Sequence, residues 1–289
     1  MTERIWTVKE IIDWSTHYLK KAASDTPRLD AELLLTKALN CRRLDLYLDH
    51  HKPLIASEKD AYRDLIRRRA AGEPVAYILG QRDFYGLSFQ VNRHTLIPRP
   101  ETETLVEQVL AQYPLGQSVR GLDVGTGSGC IAITLKKLRP DWAILAWDLS
   151  PEALALARSN GEKLEADVIW EERDALLSQN WRELGAELDF VVANPPYIGE
   201  REKPDLSPSV TAFEPNLALF APDDGLLFYK TLASEACSVL RPEGKIFLEI
   251  GHKQAPEVSL ILEDRGWQGI LVHRDLAGRD RVVTATLPP

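Results

Sequence analysis

The chain has 289 residues, enough for two ordinary domains, and its 44% hydrophobic and 27% charged residues describe a globular protein with a real core. No apolar run approaches the ~18 residues that span a bilayer. The N-terminus, Met1-Thr2-Glu3-Arg4-Ile5-Trp6, lacks a secretory leader pattern, and three scattered cysteines (Cys41, Cys130, Cys237) make no disulfide framework, so a cytoplasmic, membrane-free protein is expected. A net charge of −8 argues against a protein that grips long nucleic acid through its phosphates, and six histidines without ligand spacing predict no metal site.

Residues 1–80 read as a small all-helical domain. Thr7-Val8-Lys9-Glu10 is a capping-box pattern, and Ile11, Ile12, Trp14, Tyr18 and Leu19 follow at helical spacing. Pro27 suits a first helical turn ahead of Leu29, Leu33, Leu34 and Ala38. Ser57-Glu58-Lys59-Asp60 begins a further helix that runs to Gly72. Within it, Arg67-Arg68-Arg69 reads as a solvated face, with a local phosphate-binding patch as the alternative. Residues 81–95, with short apolar-aromatic runs around Tyr85-Gly86, predict a β-hairpin linker.

From residue 96 to 289, strand-like and helix-like segments alternate, the pattern of a doubly wound α/β sheet. Strands are expected at Gly121–Val124, Ala143–Trp147, Val168–Trp170, Leu188–Ala193, Lys245–Ile250, Gly269–Val272 and Val282–Thr286. Helices are expected at Cys130–Leu138 and Pro151–Leu164, the second with Ser150 as N-cap. The last two strands lie close together, which suits an antiparallel ending.

Two strand ends carry chemistry. Gly125-Thr126-Gly127-Ser128-Gly129 follows the first strand and opens a helix, where glycines let the backbone approach a ligand and helix N–H groups receive a carboxylate. Asp148, at the end of the second strand, is placed to accept both hydroxyls of a ribose. The dinucleotide fingerprint would need glycine where Cys130 stands, which counts against a dehydrogenase. Asp174, after the third strand, reads either as a contact to an adenine amino group or as a plain helix N-cap.

The fourth strand runs into Asn194-Pro195-Pro196-Tyr197. The prolines stiffen the turn, so the Asn194 side-chain oxygen and the Pro195 carbonyl can accept both hydrogens of one –NH₂ group, with Tyr197 offering an aromatic face to a planar amide or base. Holding a nitrogen toward an electrophile suits methyl transfer, in which positioning is the main task. The irregular stretch from Ile198 to Pro222 reads as a functional loop, with disorder as the alternative, and Phe213-Glu214-Pro215 is placed to help close the site.

The glycine loop with Asn194-Pro195-Pro196-Tyr197 resembles the amino-methyltransferases, among them DNA adenine and protein glutamine enzymes. Leu96-Ile97-Pro98-Arg99-Pro100-Glu101-Thr102-Glu103 narrows the resemblance to the HemK/PrmC family, the peptide chain release factor glutamine methyltransferases. Asp224-Gly225-Leu226 through Tyr229, Glu249-Ile250-Gly251 through Gln254, and Asp280-Arg281 are similar to that family too. The resemblance implies a seven-stranded Rossmann-like class I methyltransferase sheet behind the helical domain. It implies transfer of a methyl group from S-adenosyl-L-methionine, leaving S-adenosyl-L-homocysteine, to the glutamine amide of a Gly-Gly-Gln motif in class 1 release factors. By the family pattern Gly125 to Gly129, Asp148 and Asn194 hold S-adenosyl-L-methionine, Asn194 to Tyr197 hold the glutamine, and the helical domain recognises the release factor. The family often has tryptophan after the acid at Asp174, where this chain has Ala175. A ribosomal-protein glutamine, a DNA adenine extruded from its duplex, and a non-catalytic binding role are the competing readings.

Overall fold

In the computed structural model, which describes residues 5–185 and 187–289, the chain forms two compact units. One takes in the chain up to Gln81 together with Ser207–Phe213; the other is Arg82–Leu206 with Glu214–Pro289.

The first unit is helical: α1 Val8–Lys21, α2 Pro27–Leu39, α3 Arg43–Leu48, α4 Ala56–Ala70 and α5 Val75–Leu79. α1 opens on its capping box, with Glu10 N donating to Thr7 Oγ1 at 3.3 Å and Thr7 N donating to Glu10 Oε2 at 3.0 Å. The core gathers Val8, Ile11, Ile12, Leu19, Leu34, Leu35, Tyr62 and Ile66. Trp14 and Tyr18, although they share the helical spacing, face outward and stack on each other at 5.2 Å. Two acids are buried and fully engaged. Glu32 accepts from Arg28 (3.0 Å), Arg43 (2.7 Å) and Tyr47 (2.8 Å); Asp30 accepts from Ser24 (2.7 Å), Thr26 (2.8 Å) and Arg69 (2.6 Å). The arginine run is therefore not one solvated face, because Arg69 turns inward to Asp30 while Arg67 stays exposed.

The second unit opens on a hairpin of β1 Gln81–Phe84, whose first residue ends the first unit, and β2 Leu87–Gln90. Tyr85 and Gly86 both take positive φ (49° and 74°), the two-residue turn whose twist suits paired strands. Phe84 and Phe89 are buried in this unit's core. Asn160 then clips the hairpin in place: Gln90 N donates to its Oδ1 (2.8 Å), and its Nδ2 donates to the carbonyls of Gln90 (3.0 Å) and Ser128 (2.9 Å).

After α6 Glu103–Gln112, the chain alternates β3 Arg120–Val124, α7 Cys130–Leu138, β4 Ala143–Asp148, α8 Pro151–Lys163, β5 Ile169–Glu172, α9 Ser178–Leu184 and β6 Leu188–Ala193. It closes with β7 Leu240–Glu249, β8 Gln268–Arg274 and β9 Asp280–Thr286. The seven-stranded sheet has the order β5-β4-β3-β6-β7-β9-β8, parallel except where β9 runs antiparallel to both neighbours. All six residues of β6 are buried, as expected of a central strand covered on both faces. Alternate residues go to opposite layers: Val191, Ala193, Ile246 and Leu248 on one face, Phe190, Val192 and Phe247 on the other.

Three details differ from the sequence-based expectation. β7 starts at Leu240, not Lys245: Arg241-Pro242-Glu243-Gly244 has turn composition, yet pairing resumes across a register shift. The third sheet strand is Ile169–Glu172, shifted toward the crevice. The stretch 198–222 is neither irregular nor disordered. It holds a 3₁₀ helix Glu200–Asp205 and short helices at Pro208–Phe213 and Asn216–Leu219. No helix among the described residues is long and apolar enough to cross a membrane.

Candidate active site at the carboxyl edge of the sheet

The strand order reverses between β3 and β6, so their following loops diverge and leave a crevice, the usual ligand site of an open α/β sheet. Gly125, Thr126, Gly127, Ser128, Asp148, Asp174, Asn194, Pro195 and Pro196 all line it. Gly129 and Tyr197 stand outside that lining.

The glycine loop is pinned to the neighbouring strand, with Gly125 N and Thr126 N both donating to the Trp147 carbonyl at 2.9 Å. Gly125 and Gly127 take φ of 73° and 57°, and a Cβ at either would meet no protein atom within 4 Å; they border open crevice. Thr126 turns its hydroxyl inward to donate to Asp123 Oδ2 at 2.7 Å. Asp123 is fully buried with Oδ1 unpartnered among the described residues, and burial pushes its carboxyl up to about 7. Asp148 accepts from Gly127 N (2.8 Å) and Ser150 N (2.9 Å) through different oxygens, each of which keeps a second lone pair. Burial raises its proton affinity, opposed by those backbone bonds. Asp174 does not cap a helix. Its Oδ1 accepts from Leu176 N at 2.9 Å in a turn before α9, whose N-cap is Leu177.

At the opposite wall, Asn194 Nδ2 donates to Thr102 Oγ1 at 3.2 Å, which leaves the amide oxygen as the acceptor end of that side chain. Tyr197 is packed against the apolar cluster that includes Ile250, and burial raises its phenol. Its ring packs on that cluster and stays partly exposed. Its carbonyl accepts from Gln254 Nε2 at 3.0 Å, and a Cβ on Gly225 (φ +86°) would sit 2.1 Å from that same oxygen. Glu214 is buried, accepting from Ile97 N at 3.2 Å and pairing with Arg99, while Pro215 lines the crevice. The contacts of Thr102, Arg99, Gln254 and Gly225 carry no local signature. Their family-like motifs were visible in sequence, but the partners are far apart along the chain.

Residues 10–80 match the PrmC N-terminal domain, and residues 100–209 match the methyltransferase small domain. A release factor glutamine methyltransferase of Koribacter versatilis is 42% identical over 98% of this chain and 99% of its own length. That of Geobacter sulfurreducens is 39% identical over 98% of both chains. A methyltransferase structure from Pyrococcus furiosus has the same fold, with a TM-score of 0.53, 16% identity, and coverage of 80% of this chain and 99% of that one. An Asn-Pro-Pro-Tyr strand end facing a glycine loop, and near-full-length relatives at this identity, point one way: the chain belongs to the release factor glutamine methyltransferase family.

Proposed function

We propose that the protein transfers a methyl group from S-adenosylmethionine to the side-chain amide nitrogen of the glutamine in the Gly-Gly-Gln motif of class 1 release factors. One observation carries the reading: Asn194-Pro195-Pro196 shares a single crevice with Gly125–Ser128 and Asp148. The relatives named for this activity support the choice of glutamine, since they align along nearly the whole chain. The helical unit is the candidate recognition module, and the cytoplasm is the compartment that a translation substrate entails.

The residues fit the cofactor. The open side of Gly125 and Gly127 admits a ligand against the backbone, and the free lone pairs of Asp148 suit a ribose diol. When bound, S-adenosylmethionine supplies a sulfonium methyl that is already electrophilic. Asn194 Oδ1 and the Pro195 carbonyl accept the two amide hydrogens of the substrate and aim its nitrogen across the crevice. Those bonds strengthen as positive charge develops on nitrogen, so they favour the transition state over the bound ground state. The methylated nitrogen, acidic once it carries the extra bond, gives its surplus proton to water after transfer, so no strong base is needed before it. Asp174 lines the same crevice and is assigned to the adenine side.

Incubation with methyl-labelled S-adenosylmethionine and three acceptors (a release factor, ribosomal proteins, duplex DNA) tests the reading. Label is expected on the release factor and absent when its Gly-Gly-Gln glutamine is replaced by alanine. Label confined to a ribosomal protein or to adenine would overturn the substrate assignment.

A further inference from the structure

The stretches Asp224-Gly225-Leu226 through Tyr229 and Glu249-Ile250-Gly251 through Gln254 have no part in the proposed chemistry, yet both reach the carbonyl oxygen of Tyr197. Gln254 Nε2 donates to that oxygen at 3.0 Å. The other end of the same amide is taken, because Gly251 N donates to Gln254 Oε1 at 2.9 Å. Gln254 N donates back to the Gly251 carbonyl at 2.9 Å, which closes the side chain onto the turn ahead of the helix Ala255–Asp264. That turn is held from behind: the Tyr229 hydroxyl donates to the Glu249 carbonyl at 2.9 Å, and Ile250 N donates to the Arg281 carbonyl at 2.9 Å.

The partners fix the direction of the amide. A backbone N–H is met only by the oxygen end and a carbonyl only by the –NH₂ end, so Gly251 and Tyr197 leave Gln254 one orientation. Two glycines clear the space for it. A Cβ on Gly251 would stand 2.8 Å from Gln254 Oε1, and a Cβ on Gly225 would stand 2.9 Å from Gln254 Nε2. Neither position can carry a side chain unless the amide moves.

What the amide holds is the far end of the substrate loop. Pro195 and Pro196 have no N–H to donate, so the loop cannot tie itself down, and proline fixes φ at both positions. At the near end, Ala193 is paired in the sheet with Val124 and Leu248. Just beyond the loop, Ile198 N donates to the Leu219 carbonyl at 3.0 Å. With both ends anchored and two torsions fixed, few backbone rotations remain, and the direction of the Pro195 carbonyl follows from where the Tyr197 carbonyl is held.

We propose that Gln254 is a positioning residue for methyl transfer: its amide, directed by Gly251 and given room by Gly225, holds the Tyr197 carbonyl and thereby aims the Pro195 carbonyl at the –NH₂ group of the acceptor. The proposal rests on the methyl-transfer reading of Asn194-Pro195-Pro196-Tyr197. Its effect falls on kcat rather than on cofactor binding, because a bond to the acceptor nitrogen counts most as charge develops there.

The test compares Gln254→Met, which keeps the length and loses both polar ends, with Gln254→Glu, which keeps the bond from Gly251 N and sets an oxygen against the Tyr197 carbonyl. At alkaline pH, where glutamate is ionised, kcat is expected to fall about 10-fold for methionine and about 100-fold for glutamate, with KM for the release factor within about 3-fold and cofactor affinity by calorimetry unchanged. A side chain that only filled space would give the reverse order, since glutamate is the closer match in shape. Gln254→Met added to Gly225→Ala should cost little beyond Gly225→Ala alone, because both release the same carbonyl. Hydrogen exchange of the Gln254 side-chain amide, followed by nitrogen-15 NMR, needs no acceptor; protection is expected in wild type and its loss in Gly225→Ala. Equal exchange in those two proteins, full kcat in Gln254→Met, the reverse order of the two variants, or losses that multiply in the double variant overturns the proposal. Absence of label on glutamine with wild-type enzyme sinks the substrate assignment instead, and the amide exchange then judges the hold on Tyr197.

Discussion

The helical unit gives its buried acids full sets of partners, as the crevice does for Glu214, whereas two other acids at the carboxyl edge of the sheet are left short. For Glu32, burial alone would raise the carboxyl; bonds from Tyr47 and Arg43 and the charge of Arg28 more than offset it, and its proton affinity is lowered. Asp123 and Glu249 each keep one oxygen without a partner among the described residues, and burial pushes both up to about 7. An acid that is fully bonded stabilises its fold. An acid that is left short of partners weakens the fold around it. The difference is one of partners supplied, since both kinds of acid are equally removed from solvent.

The largest expected effect tests the second half of that contrast. Asn194→Ala should lower kcat for glutamine methylation about 1000-fold, as loss of a fixed transition-state partner does. Thermal midpoint and cofactor affinity should hardly change; a large drop in either would make Asn194 structural.

Next comes a pair of opposite sign. A carboxyl raised in the folded state contributes stability that is present below its unfolded pKa and is lost as pH rises through the folded value near 7. Glu249→Gln should therefore stabilise the protein at pH 8, by on the order of 2–3 kcal/mol. Glu32, lowered by its partners, contributes stability that is present above its unfolded pKa and lost as pH falls through its depressed value. Glu32→Gln should cost about 1–2 kcal/mol at pH 8, discounted because Arg28 and Arg43 are half exposed. Urea unfolding of both variants decides the matter: a shift of the same sign in both would dissolve the comparison.

Gly225→Ala places a methyl group against the Tyr197 carbonyl at a positive φ, so the loop must shift. About a 30-fold loss of kcat is expected, since small misplacements at a reacting centre are costly. Asp148→Ala should weaken cofactor binding about 10-fold by calorimetry, the loss of one charge-assisted pair of hydrogen bonds. Unchanged affinity would remove Asp148 from the ribose assignment.

What could be read in the sequence was what is local. The glycine loop, the acid at the end of β4, Ser150 as a cap and Asn194-Pro195-Pro196-Tyr197 announce themselves because their residues are adjacent and their backbone needs are specific. Asn194's partner Thr102 was visible only as part of a family-like motif, since the two meet across sheet and helix. Tyr197 reads as an aromatic face for substrate; its packing beside Ile250 and Gly251 depends on residues far along the chain and has no local signal. Trp14 and Tyr18 share the apolar spacing of α1, yet the core is filled by Ile11, Ile12 and Leu19. The helical turns between 198 and 222 are too short to show periodicity and are held by remote contacts, such as the bond from Ile198 N to the Leu219 carbonyl.

The Asn194–Tyr197 loop is braced by Thr102 from before it in the chain and by Gly225 and Gln254 from well after it. During synthesis the glycine loop and Asp148 leave the ribosome long before the last of those braces exists, and contacts so distant in sequence close slowly. A nascent chain that stops short of Gln254 lacks the bond from that side chain to the Tyr197 carbonyl. On the proposed reading, the side of the crevice assigned to the methyl donor is therefore synthesised before the last brace of the loop assigned to the acceptor.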